Sequence, residues 1–355
     1  MRIRAVLSGP GGEPVVRDIE DGCWAEPAGD PDLEVGAGMW ALPGLVDAHS
    51  HIAGVTMDID PGDLEGAALR AGEALAAGVG LLIDKGWRDL TAIDLIDAVD
   101  PDERPDIEGA GEIYSVAGGY WEGSARNIDP GAVASSVREA SLQGRGWVKL
   151  VGDWPRKAIG PVPNFSEAEL ETAVAVARGL GSRIAIHTMA REVPAIAVRA
   201  GVDSIEHGLF LTADDLGALG ARGGIWVPTV IQVETLIMQL GPDSSGGRLL
   251  REGLANVVSL LGIAVEAGVH VLTGTDLAVG SHQVALEAIR LWEMGMSPGS
   301  VVDAASRSGL RSTGRSAGFE VGSPANAVFF AVDPGLDPRV LQSPQLVIRR
   351  GRILR

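Results

Sequence analysis

Between residues 44 and 316, short apolar runs alternate with longer alanine-rich segments whose apolar residues recur at helical spacing. The runs fall at residues 45–46, 80–83, 114–116, 147–151, 183–186, 202–205, 225–227 and 269–272, eight in all. Runs this short, bounded by turn residues, read as buried strands. Residues 64–77, 166–180, 193–200 and 250–267 read as helices between them. Ser166 and Glu169 have the spacing of a capping box at the start of one of these. Strands alternating with helices predict a parallel sheet, and eight such units predict an α/β fold closed as a (β/α)8 TIM barrel over residues 44–316. An open doubly wound sheet would carry a glycine-rich phosphate fingerprint after its first strand, and none is present.

The two ends have a different rhythm. Residues 3–7, 15–18 and 33–35 are brief extended segments separated by Gly and Pro, as are 327–332 and 345–348, the latter followed by a turn at Arg349-Arg350-Gly351-Arg352. Neither end is long enough for a core of its own. Residues 1–43 and 317–355 are therefore expected to combine into one small, discontinuous β-sandwich domain that brings the termini together. Residues 241–247, Gly-Pro-Asp-Ser-Ser-Gly-Gly, predict a mobile loop.

Composition narrows the function. Hydrophobic residues make up 46% and charged residues 21% of the 355, enough apolar surface for a large core. A net charge of −18 argues against a nucleic-acid or anionic-membrane partner. Cys23, the single cysteine, cannot form an intramolecular disulfide, which points to a reducing compartment. The N-terminal sequence breaks into Gly and Pro too early for a signal peptide, and no run is long enough to span a bilayer. The expectation is a cytoplasmic protein that acts on a small molecule; a homodimer is the base-rate oligomer.

Candidate chemistry begins at Asp47-Ala-His49-Ser-His51, directly after the first apolar run. Residues two apart on a strand face the same way, so the two imidazoles share one side. At the C-terminal end of a barrel strand that side is the active-site mouth, and paired neutral imidazoles suit a borderline cation such as zinc. An isolated His-x-His is weak evidence, but further residues fall in register with it. His187, His207 and Asp276 end the fifth, sixth and eighth strands, and Lys149 lies inside the apolar fourth. A lone ammonium would be costly to bury there. Four of the six histidines, one lysine and one aspartate thus point to the same end of the barrel. His270 lies before the mouth and reads as structural.

These motifs resemble the amidohydrolase superfamily of metal-dependent hydrolases. Leu42-Pro-Gly-Leu-Val-Asp-Ala-His-Ser-His51, the strand-end His187, Ser204-Ile-Glu-His-Gly208, Val227-Pro-Thr229 and Gly274-Thr-Asp276 are closest to its imidazolonepropionase-like and prolidase-like branch. Residues 321–327 and 347–352 are similar to that family's closing β segment. The resemblance implies that His49 and His51 bind the more buried of two divalent metal ions, zinc above all, and that His187 and His207 bind the second. Lys149 would bridge them as a carbamate, and Asp276 would ligate a metal and serve as general base and acid. Should Lys149 instead remain a plain cation, the site holds one metal. The implied reaction is hydrolysis of a carbon–nitrogen bond in a cyclic amide, an N-acyl amino acid or a dipeptide-like molecule. A lactonase or phosphotriesterase, and a decarboxylase or isomerase, are the alternatives on the same site; a non-catalytic scaffold would not need Asp276.

Departures from the family bear on substrate. Where prolidase-like relatives often carry a histidine after paired glycines, this chain has Gly118-Gly119-Tyr120-Trp121, so Tyr120 and Trp121 become substrate-binding candidates. His282, six residues after Asp276, is a third. Deaminase members place a glutamate where this chain has Ala190, which disfavours nucleobase deamination. Trp87, Tyr120, Trp121, Trp154 and Phe210 follow strands and either wall the pocket or seal the mouth. Arg126, Arg156 and Lys157 lie in the same loops as candidate anion anchors or solvated cations, and Lys85 reads as either rim or surface.

Overall fold

The computed structural model describes residues 2–9, 12–54, 62–156 and 159–355. Lys157 lies outside the described residues. Every one of the eight apolar runs carries strand. β1 (Leu45–Ser50), β2 (Val79–Asp84) and β3 (Asp106–Gly109) form one parallel sheet in that order. β4 (Ile113–Val116), β5 (Arg126–Ile128), β6 (Trp147–Val151), β7 (Arg183–Thr188), β8 (Ser204–His207), β9 (Ile225–Val227) and β10 (His270–Val271) form a second, in the order β5-β4-β6-β7-β8-β9-β10. All its pairings are parallel. Parallel bridges Gly109–Gly146 and Ser50–Asp276 connect the two sheets.

β3 was not legible as an apolar run because its alternate residues are Asp106 and Glu108. Both carboxylates have partners: Asp106 accepts from Arg349 at 2.7 Å, and Glu108 accepts from Trp147 Nε1 at 2.8 Å and Arg183 at 2.7 Å. The helices that follow the strands bury their apolar faces against this framework. α1 (Leu64–Ala76) and α2 (Glu167–Gly179) begin at Asp63 and Ser166 caps. The Ser166 box is complete: its N–H donates to Glu169 Oε2 at 2.7 Å and its Oγ accepts from Glu169 N–H at 3.4 Å.

α3 (Val230–Leu240), α4 (Ser245–Glu266) and α5 (Val284–Glu293) complete the elements that matter for the site. α4 starts five residues before the expected 250. Ser244 Oγ accepts from Gly247 N–H at 2.9 Å, and this N-cap turns the second half of the expected mobile loop into the first turn of a helix. Among the described residues no helix is long and apolar enough to cross a membrane.

At the ends, Ile3–Leu7, Val15–Glu20, Cys23–Ala25 and Leu33–Val35 form one four-stranded sheet. Trp40–Leu42 pairs antiparallel with Ala327–Phe330, which continues to Leu346–Arg349 and Arg352–Ile353 in a second. Leu7, Trp24, Ala41, Phe329 and Ile348 share one apolar cluster, so residues from both ends of the chain build a common core. The strands at 23–25 and 40–42 are too short to show a period in sequence.

Candidate metal centre and substrate cleft

Parallel register gathers the expected residues. His187 on β7 lies opposite Glu206 on β8, and Thr188 opposite His207. Asp276, past the end of β10, bridges to Ser50, and its N–H donates to His49 O at 2.7 Å. The β1–β2 pairing shifts register between Asp47 and Ser50, around His49. One cleft is lined by His49, Lys149, His187, His207 and Asp276, so five of the six expected ligands share its wall. The sixth, His51, stacks edge-on with His49 at 5.2 Å between ring centres and reaches Asp276 Oδ1 at 3.3 Å.

Outward contacts fix which nitrogen of His51, His49 and His207 carries the proton. His51 Nδ1 lies 2.6 Å from Gly86 O, a carbonyl that can only accept, so Nδ1 holds the hydrogen. His49 Nδ1 lies 2.7 Å from Glu206 Oε2. Thr229 Oγ1 donates to Pro228 O at 2.8 Å and therefore accepts from His207 Nδ1 at 2.6 Å. All three rings thus turn an Nε2 lone pair inward. His51 Nε2 faces Asp276 Oδ1 at 3.3 Å and His49 Nε2 lies 3.9 Å from the same oxygen, while His187 Nδ1 donates to His207 Nε2 at 2.9 Å. Nitrogen lone pairs turned toward a carboxylate oxygen form a donor set that suits a cation. Ligand atoms of His49, His51 and Asp276 all lie within 4.8 Å of one another, so these residues fit a divalent metal.

The electrostatics agree with that form for His49, His187 and His207, whereas for His51 the lowering effect of burial is outweighed by Asp276, which raises it. Burial, reinforced by the Lys149 charge, pushes His49 down to about 3. Burial pushes His207 down to about 4 and, with His207 beside it, holds His187 well below the ordinary imidazole range. All three are neutral and free to ligate. Burial alone would raise Asp276, but His49 and His51 hold it well below the usual carboxylate range, so it is an anion. Lys149 is 2% exposed, with Nζ 3.4 Å from His49 Nε2. Burial brings its pKa down to about 8, against the pull of Glu206.

Three non-glycine residues at this end hold left-handed backbone: His207 (φ 63°), Thr229 (φ 47°) and Asp276 (φ 49°). Such conformations cost about 1–2 kcal/mol each and collect at functional sites.

Aromatic residues form one wall. Tyr120, Trp121 and Trp154 pack with ring centres 4.7–5.3 Å apart, and Tyr120 and Trp154 lie 5.7 and 5.9 Å from His187. Trp87 is buried beside His51, while Phe210 stacks under Arg191 and does not line the cleft. His282 is placed elsewhere: its Nδ1 lies 4.0 Å from Glu73 on α1, and it lines a separate cavity with Leu45 and Leu341. Arg126 pairs with Glu112 and Glu139, and Arg156 donates to Asn164 at 3.0 Å. His270, in β10, is partly buried.

Lys85 is neither rim nor surface. It is 1% exposed, with Nζ 3.1 Å from Glu206 Oε1. No role was expected of Glu206, although it is, like Lys149, an ionisable group inside an apolar strand, and Lys85 directly follows one. Met189, Gln232 and Leu236, which also line the cleft, carried no sequence signal.

Known proteins resemble this arrangement. An uncharacterized protein of Mycobacterium tuberculosis is 33% identical over 339 residues, covering 92% of this chain and 88% of its own. Ochratoxinase of Aspergillus niger is 24% identical over 260 residues, 67% of this chain and 53% of its own. Its crystal structure superposes with a TM-score of 0.82 at 19% identity, covering 100% and 95% of the two chains. A Xaa-Pro dipeptidase crystallised with methionine in its active site gives a TM-score of 0.81 at 21% identity over 99% of both. Residues 40–354 match the amidohydrolase family, and the chain therefore belongs to it, as a hydrolase of carbon–nitrogen bonds.

Proposed function

We propose that this chain is a metal-dependent amidohydrolase that cleaves an amide-type bond in a small molecule, with the parallel strands of residues 44–316 closed as a (β/α)8 barrel and residues 1–43 and 317–355 as a separate β-sandwich domain. The observation that carries the reading is the convergence of three Nε2 lone pairs and the Asp276 carboxylate at one point of the mouth. His49, His51 and Asp276 would hold one divalent ion and His187 with His207 a second; imidazole and carboxylate donors suit zinc. Such ions supply a Lewis acid for the scissile carbonyl and make water acidic enough to attack near neutral pH.

The protein's own groups do the rest. Asp276, ionised and aimed at the mouth, accepts a proton from the attacking water and returns it to the leaving amine. Lys149 is a buried amine whose proton comes off near pH 8. That supplies the neutral lone pair that adds to carbon dioxide, forming an N–C bond and releasing a proton, and the resulting carbamate anion would offset the positive charge of bound metal. Tyr120, Trp121 and Trp154 shape the side of the cleft where substrate enters and exclude water from it.

Elemental analysis of the purified protein and of Lys149→Met tests the metal assignment. About two ions per chain, falling in the variant, is the expected result; no metal in either overturns the reading. Asp276→Asn should keep its metal-free fold and lose roughly 10²–10⁴-fold in amide turnover.

A further inference from the structure

A cavity of about 410 Å³ opens beside the cleft and shares Trp121, Trp154, His187, Met189 and Leu236 with it. Three elements build it. α3 presents Gln232 and Leu236 to the cleft and, one turn on, Gln239 and Leu240 to the cavity, because positions four and seven apart share a helix face. The first two turns of α4 add Gly246, Leu249 and Leu250. A hairpin of Asp153–Arg156 against Gly160–Pro163 closes the third side with Pro155 and Pro161.

Its charge is as informative as its shape. Besides His187, the one ionisable side chain among the described lining residues is Asp153, which is fully buried and accepts from Met189 N–H at 2.9 Å. No lysine or arginine stands among those lining residues. A carboxylate reaching the wall away from His187 would lose its hydration, find no cationic side chain among the described lining residues and meet a group that is neutral or negative. An apolar group gains free energy with each methylene it buries and rests on tryptophan faces.

We infer that this cavity receives an uncharged apolar arm, aryl or branched alkyl, attached directly to the scissile amide, and that the enzyme discriminates against substrates bearing a carboxylate on that arm. The assignment of an amide rests on the hydrolase reading above; the apolar lining, without lysine or arginine among its described residues, does not.

Three probes separate the two ideas: phenylacetyl methylamide, its 4-carboxyphenyl analogue and N-methylacetamide, each assayed for hydrolysis by the metal-loaded protein and for binding by calorimetry. The neutral aryl probe should exceed N-methylacetamide roughly 100-fold in kcat/KM and its carboxylated twin by at least about 30-fold. Leu240→Arg puts a cation on the outer wall and should reduce the neutral-to-carboxylated ratio by about tenfold. Gly246→Leu, whose Cβ would sit 3.2 Å from Leu240 Cδ1 and whose branch would fill the cavity, should reduce the aryl-to-acetyl ratio. Hydrolysis of all three probes at similar rates, faster hydrolysis of the carboxylated one, or ratios unmoved by both variants would overturn the inference while leaving the hydrolase standing. Selective binding of the neutral aryl probe without turnover would support the cavity assignment and overturn the hydrolase reading. Neither binding nor turnover of that probe would overturn the inference.

Discussion

Nζ of Lys85 lies 3.1 Å from Oε1 of Glu206, and both side chains are sealed from solvent. The ammonium also sits 4.4 Å above the Trp147 ring, and Ser204 Oγ donates to the same carboxylate oxygen at 2.6 Å. The second oxygen, Oε2, holds Nδ1 of His49 at 2.7 Å. Burial would raise Glu206, but Lys85 and then His49 keep it well below the carboxylate range, so an ion pair beneath the mouth sets the orientation and tautomer of a site imidazole.

Breaking that pair from one side leaves an uncompensated buried charge. Lys85→Met is expected to cost about 3–5 kcal/mol in urea unfolding, and Lys85→Met/Glu206→Gln together less than the sum of the singles. Glu206→Gln should also weaken zinc binding roughly 10- to 100-fold, read by chelator competition, and nitrogen NMR should show His49 losing its single tautomer. Additive stabilities and unchanged affinity would remove the positioning role.

Glu287 gives a pH dependence away from the candidate metal ligands. It is fully buried on α5, accepts from Val230 N–H at 2.7 Å and Ile231 N–H at 3.1 Å at the start of α3, and burial raises it to about 8. The folded protein therefore keeps a proton that the unfolded chain releases near pH 4.5. Stability falls as pH rises between those two values and levels off above the higher one. Glu287→Gln should carry a constant offset and remove this slope. Chemical unfolding at intervals from about pH 5 to 8 measures it; parallel curves for the two proteins would show that Glu287 is ionised throughout.

Gly274 precedes Thr275 and Asp276 where the chain passes behind His49. A Cβ there would lie 2.6 Å from both His49 Cβ and Val227 Cγ1. Gly274→Ala is expected to cost about 1–3 kcal/mol and to displace His49, lowering turnover more than substrate binding. Wild-type kinetics and melting in this variant would show that the two strands can separate freely.

Ser166→Ala removes the Oγ acceptor of the capping box on α2 and should cost about 1 kcal/mol, seen as a lower urea midpoint with unchanged kinetics. A kinetic effect would mean that α2 is coupled to the cleft.

Much of this protein could be read from order along the chain alone. Apolar runs of strand length alternating with amphipathic segments leave few folds open, because every strand must be covered on both faces and every helix on one. The strand-end positions of His49, His187 and His207 followed from the same periodicity, as did the Ser166 cap. What the sequence could not supply was anything that depends on which residues meet across distant strands. Lys85 and Glu206 are 121 positions apart in the numbering, and only the register of β2, β7 and β8 turns two isolated charges into a buried pair. The same holds for Thr229 fixing the tautomer of His207, and for β3, whose Asp106 and Glu108 hid a strand until Arg349 and Arg183 came to face them. His282 is the reverse case: its nearness to Asp276 in sequence suggested the pocket, but the short helix at Ser281–Gln283 directs it toward α1. Periodicity specifies which face a residue occupies, a local property of φ and ψ; partners, tautomers and the apolar cavity are decided by packing between elements, which no local period encodes.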